Sequence, residues 1–348
     1  MLSRVANALY WLVRYIERAD NLSRLIDVNR QMLLDHESLD SERVRAFWKP
    51  IVLSTGDEKL FGELYDGEGS GEVICFLTSD RRNPNSIVSC IVQARENART
   101  VRDQLPDDLW EELNSLYLFV NSEVAEAQLR VEPHRYYEGV RRASQTFFGI
   151  AGSTMARTEE WEFMELGRYL ERADKTTRIL DITSFLEETG GDTTTHSLHW
   201  GAILRSCSGM GVFRAEYPGQ MTPELVVRFL IFSAVFPRSV RFCLGRVDEC
   251  LHRISGTAAG TFSNDAERIA GQLLATLNFG MPAKVIGEGL HLFLDELQDR
   301  FNEIGEAVFK TYVLMPDLLK PRSGGSGKAP PPVPLPTLVE LEQMQQQQ

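Results

Sequence analysis

The sequence predicts an all-α fold, a helical bundle built from two tandem pseudo-repeats of about 154 residues. Three observations carry this expectation. Apolar residues recur at helical spacing through most of the chain, while the period-two alternation of strands is scarce. Gly and Pro never fall at hairpin spacing. Finally, residues 12–27 return as residues 166–181: Arg14 recurs as Arg168, 154 positions on. Nine of the sixteen aligned positions are identical: Leu12, Arg14, Tyr15, Glu17, Arg18, Ala19, Asp20, Arg24 and Asp27. A weaker echo follows, in which residues 84–90 (PNSIVSC) return as 237–243 (PRSVRFC), with Glu96 meeting Glu249 and Val101 meeting Ile254. A period this long marks a domain-sized unit rather than a solenoid repeat.

The elements follow in order. In the first helix Tyr15, Ile16, Ala19, Leu22 and Ile26 share one face; Glu17, Asp20, Asn21, Arg24 and Asp27 share the other, with Arg14 and Arg18 at its edge. After residue 30 come an acidic stretch and a segment with Phe47, Trp48 and Leu53. Glycines and acids between Gly56 and Gly71 predict a long loop around one short helix, and residues 72–78 read as either a strand or a buried helix. Asn83-Pro84 has the chemistry of a helix start, a capping side chain before a proline. That helix should run to about Gln104, with helices at 107–120 and 134–155 completing the first half. The second half should hold helices at 160–187, 198–207, 222–235, 237–254, 264–278 and 285–312, with a Gly/Thr-rich loop at 189–197. Domain limits of 1–155, 156–315 and 316–348 result. The last segment is a Pro/Gly/Gln-rich tail, expected to be flexible and partly polyproline-II. Pro331-x-x-Pro334 and the Leu338, Val339, Leu341 patch offer docking elements, but a solvated tail is the simpler expectation.

Composition narrows the function classes. A net charge of −12 argues against a nucleic-acid partner. The most apolar stretch, 225–236, contains Arg228 and is far short of the roughly 20 residues of a membrane span. The N-terminus runs into a charged helix without a signal-peptide pattern. Five cysteines, never spaced C-x-x-C, make no disulfide framework. The expectation is a soluble, cytoplasmic protein.

The repeated charges are the candidate site: Arg14, Glu17, Arg18, Asp20 and Arg24 in one copy, Arg168, Glu171, Arg172, Asp174 and Arg178 in the other. Duplicated helices that only pack would keep their apolar pattern and let such charges drift. Three readings compete. Exposed ion pairs are worth a few tenths of a kcal/mol each. A buried network could hold the halves in register. A cleft could bind carboxylate or phosphate oxygens through forked arginine contacts, with the acids orienting them or engaging an amine. The buried network ranks first and the cleft second. The two copies are expected to approach near a pseudo-two-fold axis, with Arg14, Arg24, Arg168 and Arg178 converging on one interior site. A further basic stripe, Arg95, Arg99 and Arg102 with Glu96 beside it, meets Asp248, His252 and Ser255 in the second half, and so is not duplicated. Arg95, Glu96 and Arg99 are secondary binding candidates.

Other signals are weak. His196-x-x-His199 misses the helical metal spacing and has no adjacent acid, so no metal is expected. Gly209-Met-Gly211, the Gly67–Gly71 run and Gly-Ser-Gly-Lys328 fall short of nucleotide loops, and no nucleophile motif is present. No cofactor is expected.

Residues 2–11 (LSRVANALYW) with 15–20 (YIERAD), 83–87 (NPNSI), 94–99 (ARENAR) and 164–174 (MELGRYLERAD) together resemble the bacterial alpha-E family over about residues 1–315. The resemblance implies an all-helical domain whose Glu-Arg motifs are Glu17-Arg18 and Glu171-Arg172. Asn85 stands where the family often has a small serine-like residue, a difference expected to matter little. Members are encoded beside, or fused to, circularly permuted ATP-grasp ligases and transglutaminase-like peptidases. This company implies an accessory protein of an ATP-dependent amide- or peptide-bond-forming system, binding substrate or ligase through a charged cleft between the repeats. The alternatives are a stand-alone enzyme acting on an amine or acyl substrate with its Glu, Asp and Arg residues, and a non-catalytic scaffold.

Overall fold

The structure, a computed structural model, describes residues 1–34, 41–67, 69–187, 193–280, 282 and 289–314. The described residues form helices and no strand. In the first half these are α1 (Ser3–Leu34), α2 (Ser41–Thr55), α3 (Glu58–Leu64), α4 (Ser70–Thr78), α5 (Ile87–Thr100), α6 (Asp107–Val120), α7 (Glu123–Val131) and α8 (Pro133–Thr154). The second half holds α9 (Glu159–Glu187), α10 (Thr193–Ser206), α11 (Met210–Glu216), α12 (Pro223–Val227), α13 (Val240–Ser255), α14 (Asp265–Phe279) and α15 (Leu290–Phe309).

The two longest helices form the centre. α1 packs on α5, α8 and α9; α9 packs on α1, α13, α15 and α2. α6 closes the group of α5 and α8, and α14 closes that of α13 and α15. α1 and α9 run side by side in the same direction. The Met1 ammonium meets Glu159 at 2.8 Å, Tyr10 lies against Gly167, Arg18 meets Glu171, and Leu25 and Asn29 border one pocket with Ile179 and Ile182. Positions that correspond in the two copies therefore lie at nearly the same level. Gly167 permits the approach, since a Cβ there would collide with the Tyr10 carbonyl oxygen and stand 2.9 Å from Val13 Cγ2.

Local chemistry moves several boundaries. α5 and α13 are capped not at Asn83 and Pro237 but three and two residues later. The Ser86 hydroxyl accepts from Ser89 N, and the Ser239 hydroxyl accepts from Phe242 N. Asn83 instead ties the preceding turn, donating to the Phe76 carbonyl and accepting from Asn85 N. Residues 72–78 lie in α4, which removes the strand reading. The helix expected over 222–235 is α12, continued by a π-turn over Arg228–Phe232 and stopped at Ser233, which is extended. α10 begins at Thr193, so the second part of the expected 189–197 loop is helical. The tail, 316–348, lies outside the described residues.

Candidate functional site

Glu17 and Glu171 sit at zero exposure where α1 and α9 touch. Side by side, two such carboxylates would repel strongly, and the neighbouring arginines prevent this by crossing over. Arg172 donates from Nε to Glu17 Oε1 and from Nη2 to Oε2, both at 2.8 Å. Arg14 Nε and Arg18 Nε donate to Glu171 at 2.8 and 2.7 Å. Each Glu-Arg motif thus gives its carboxylate to the other helix and takes the other's in return.

A cluster surrounds each glutamate. Around Glu17, Arg238 donates to Glu17 Oε1 at 3.0 Å and to Asp20 Oδ2 at 2.7 Å, and Arg24 pairs with that same Asp20 oxygen. Around Glu171, Lys175 Nζ lies 3.7 Å away, and Asp174 takes Arg178 Nε on both oxygens at 3.0 and 2.9 Å. Arg18 also donates to Asn85, whose Nδ2 donates to Asp57 at 2.9 Å.

Burial works to raise the pKa of each glutamate, but the arginines outweigh it. Arg172 and Arg238 hold Glu17 below the usual carboxylate range, and Arg18 and Arg14 hold Glu171 well below it. For Asp174, burial is likewise overcome by Arg178 and Lys175, leaving its pKa at about 2. Arg168, by contrast, has its pKa lowered by burial and by Arg172.

These positions overturn the exposed ion-pair reading: Glu17, Arg18, Asp20, Arg24, Glu171, Arg172 and Asp174 are all buried. The expected convergence of four arginines also needs correction. Arg24 and Arg168 belong with Glu17, Arg14 and Arg178 with Glu171, because two parallel helices present two seams rather than one. Arg95, Glu96 and Arg99 do not join either cluster. Arg95 binds Asn114 and Glu96 at 3.0 Å each beside the rings of Trp110 and Tyr117, and Arg99 pairs with Glu96 at 2.7 Å.

The two seams differ in what they enclose. On the Glu171 side Arg18, Lys175, Arg178, Asp57 and Asn85 border a space of only about 30 Å³. On the Glu17 side a cavity of about 440 Å³ is bordered by Glu17, Asp20, Arg168, Arg172 and Arg238, with Phe148 and Phe236 as apolar walls. Ser208, on its rim, has φ of 54°, the left-handed region that a residue with a side chain enters at a cost.

Sequence reasoning passed over Arg238, Lys175 and Asp57, and discounted Asn85. Arg238 had a signal, since it falls in the second echo opposite Asn85. Asp27 and Asp181, identical but not selected, tie each long helix to a neighbour. Asp27 binds His134 at 2.9 Å and Arg141 at 2.8 Å, and Asp181 binds His291 at 2.8 Å. Asp181, His291 and Asp295 form a group of described residues with ligand atoms within 4.8 Å of one another. It lies about three turns along α9 from Glu171, and the matching Asp27–His134 pair marks the histidine contact as a helix tie.

A buried, reciprocal pair of Glu-Arg motifs in an all-helical domain defines the class of this protein. The chain belongs to the Alpha-E family, described as a predicted alpha-helical domain with a conserved ER motif, whose sequence model matches residues 1–313. It is similar to uncharacterized proteins of Mycobacterium bovis and Mycobacterium tuberculosis, at 25% identity over 346 residues, covering 92% of this chain and 38% of each of theirs. No solved structure matches it. No helix among the described residues is long and apolar enough to cross a membrane.

Proposed function

We propose that this chain is a cytoplasmic accessory module of an ATP-grasp-dependent amide- or peptide-bond-forming system, and that it holds substrate in the cavity beside the Glu17–Arg172 pair. The observation that carries this reading is the contrast between the seams: the same motif closes one and leaves the other open, with Arg168, Arg172 and Arg238 around a space sized for a small ligand. The company that the family resemblance implies, ATP-grasp ligases and transglutaminase-like peptidases, gives the partners of this reading. The mycobacterial relatives, in which the matched region is 38% of the chain, fit a module that works beside other domains.

The module reads as two tandem repeats, 1–155 and 156–315. The parallel α1 and α9, the exchanged motifs and the paired histidine ties support this, as do the matching helix groups α1, α5, α6, α8 and α9, α13, α14, α15. Catalysis by the module itself is disfavoured by its electrostatics, because a general base works best with a pKa near the operating pH. Glu17 and Glu171 are instead held ionised as acceptors for arginine.

The test is ligase turnover with and without this protein, together with co-purification of the two. Dependence of rate or product on the module is expected, and its loss in Gly149→Phe, which fills the cavity from α8 where a Cβ meets nothing within 4 Å. A ligase indifferent to the protein in affinity, rate and product sinks the reading.

A further inference from the structure

We propose that the open cavity takes a free α-amino acid with an apolar side chain, its carboxylate on Arg168 and its ammonium on Asp20. This rests on the reading of the cavity as a substrate site and names the chemistry it selects. The argument compares each cavity residue with its counterpart in the closed seam, since both were built from the same motif.

Arg14 and Arg168 are corresponding residues. Arg14 Nε donates to Glu171 at 2.8 Å, and its Nη1 donates to Tyr10 Oη at 2.8 Å. Arg168 Nε faces Glu17 Oε2 at 3.9 Å and makes no hydrogen bond. Its one hydrogen bond among the described residues is a long one, from Nη1 to Glu165 at 3.3 Å, and its guanidinium lies 3.9 Å over the Phe148 ring. Asp174 and Asp20 also correspond. Asp174 engages both oxygens with Arg178 Nε, whereas Asp20 crowds Arg24 and Arg238 onto Oδ2 and leaves Oδ1 without a partner. The end-on Asp20–Arg24 pair leaves Arg24 Nε unpartnered as well.

Thus the seam that encloses the cavity has an unmet donor and an unmet acceptor on residues that border it, and the equivalent atoms of the closed seam are satisfied. A buried charged group without its hydrogen bond keeps a desolvation penalty that no partner offsets, so such atoms mark a place where a complementary ligand gains more than it would elsewhere. Asp20 stands one turn beyond Glu17 on α1, and Arg168 reaches toward Glu17 from α9. Side chains one turn apart on a helix have Cβ atoms roughly 5–6 Å from one another. Held by a hydrogen bond of about 2.9 Å at each end, the adjoining α-ammonium and α-carboxylate of one molecule bridge a gap of that size, and a guanidinium fork suits the carboxylate. Phe148, Phe236, Gly149 and Pro237 make the walls mostly apolar, with Ser144, Gln145 and Ser208 also on the border, and this balance favours an apolar side chain.

The experiment is calorimetric titration of the full chain with L-phenylalanine and L-leucine, set against 3-phenylpropionate, which lacks the ammonium, and phenethylamine, which lacks the carboxylate. At least one amino acid should bind saturably, each analogue should bind at least tenfold more weakly, and Gly149→Phe should abolish binding without lowering Tm. Absence of binding by both amino acids at millimolar concentration overturns the inference. So does equal binding of phenylalanine and its analogues, which would reveal an apolar hole indifferent to charge. Asp20→Asn adds a second readout, removing discrimination between phenylalanine and 3-phenylpropionate if Asp20 holds the ammonium. Failure here is separable from failure of the proposed function: a ligase that depends on this protein while no amino acid binds would leave the accessory role standing and remove only the ligand.

Discussion

Arg172 lays its guanidinium edge along the Glu17 carboxylate through two 2.8 Å hydrogen bonds, although 155 residues separate them. Both side chains are sealed, at 7% and 1% exposure. A forked pair in such a place is costly to break singly, because the remaining charge keeps its desolvation penalty and loses its partner.

The first prediction concerns that pair. Arg172→Met should lower unfolding free energy by about 3–5 kcal/mol, read as a fall in the urea midpoint. The double variant Glu17→Met, Arg172→Met should recover part of this loss, since it removes both charges. A single substitution within 1 kcal/mol of wild type would show the pair to be an ornament of the fold.

Gly167→Ala tests the close approach of the central helices. In an exposed helix this change would stabilise, but here the new methyl meets the Tyr10 carbonyl oxygen and Val13 Cγ2. Overpacking against backbone costs about 1–3 kcal/mol, so Tm should drop. A rise in Tm would mean that α1 and α9 stand further apart than described.

Acid should unfold the protein through the buried carboxylates. Asp174 falls to about 2 in the folded protein, and Glu17 and Glu171 lie below their ordinary range as well. Unfolded, these groups titrate near 4. The unfolded chain therefore binds more protons in acid, and the stability they confer is complete above about pH 5. It drains as pH falls through 4 toward 2, with Asp174 alone contributing about 2 kcal/mol. Circular dichroism against pH should show this loss, and Asp174→Asn should flatten that part of the profile. A profile unchanged in the variant would exclude Asp174 as a contributor.

The cysteines give a test that needs no partner. Cys75 is exposed, whereas Cys90, Cys207 and Cys243 are buried with thiols pushed up to about 12. Burial also raises the Cys250 thiol. One thiol per native chain should react with a disulfide reagent at neutral pH, five after denaturation, and none in native Cys75→Ser. Rapid labelling of a second thiol would expose an opening at the seams, since Cys90 and Cys243 lie beside them.

The all-helical fold was legible in the helical spacing of the apolar residues, and the pairing of α1 with α9 in the repeated charges, because charge, unlike apolarity, is rarely retained without a partner. The division into two seams was not. A helical wheel places Arg14, Arg24, Arg168 and Arg178 on polar faces, but it does not tell which side of a parallel pair each will take. Arg238 escaped notice because the residue opposite it in the echo is Asn85, so the comparison that exposed Glu17-Arg18 concealed it. Asn85 reads in the sequence as a small departure from the family pattern, yet it links Arg18 to Asp57 across the closed seam. The misplaced helix starts at Asn83 and Pro237 have a similar origin: a proline there begins a turn whose serine, at 86 or 239, does the capping.

The level alignment of α1 with α9 also bears on how such a protein could come apart. Because each Glu-Arg motif satisfies the other by reciprocal exchange, a motif of this kind could equally satisfy a copy of itself across a true two-fold axis. In this chain each motif meets the unlike copy instead, Arg18 on Glu171 and Arg172 on Glu17. What a dimer of the first half alone would lack is Arg238, which bridges Glu17 and Asp20, and with it the difference between the seams that leaves one of them open. Asymmetry, on this view, is the property that the joined chain adds.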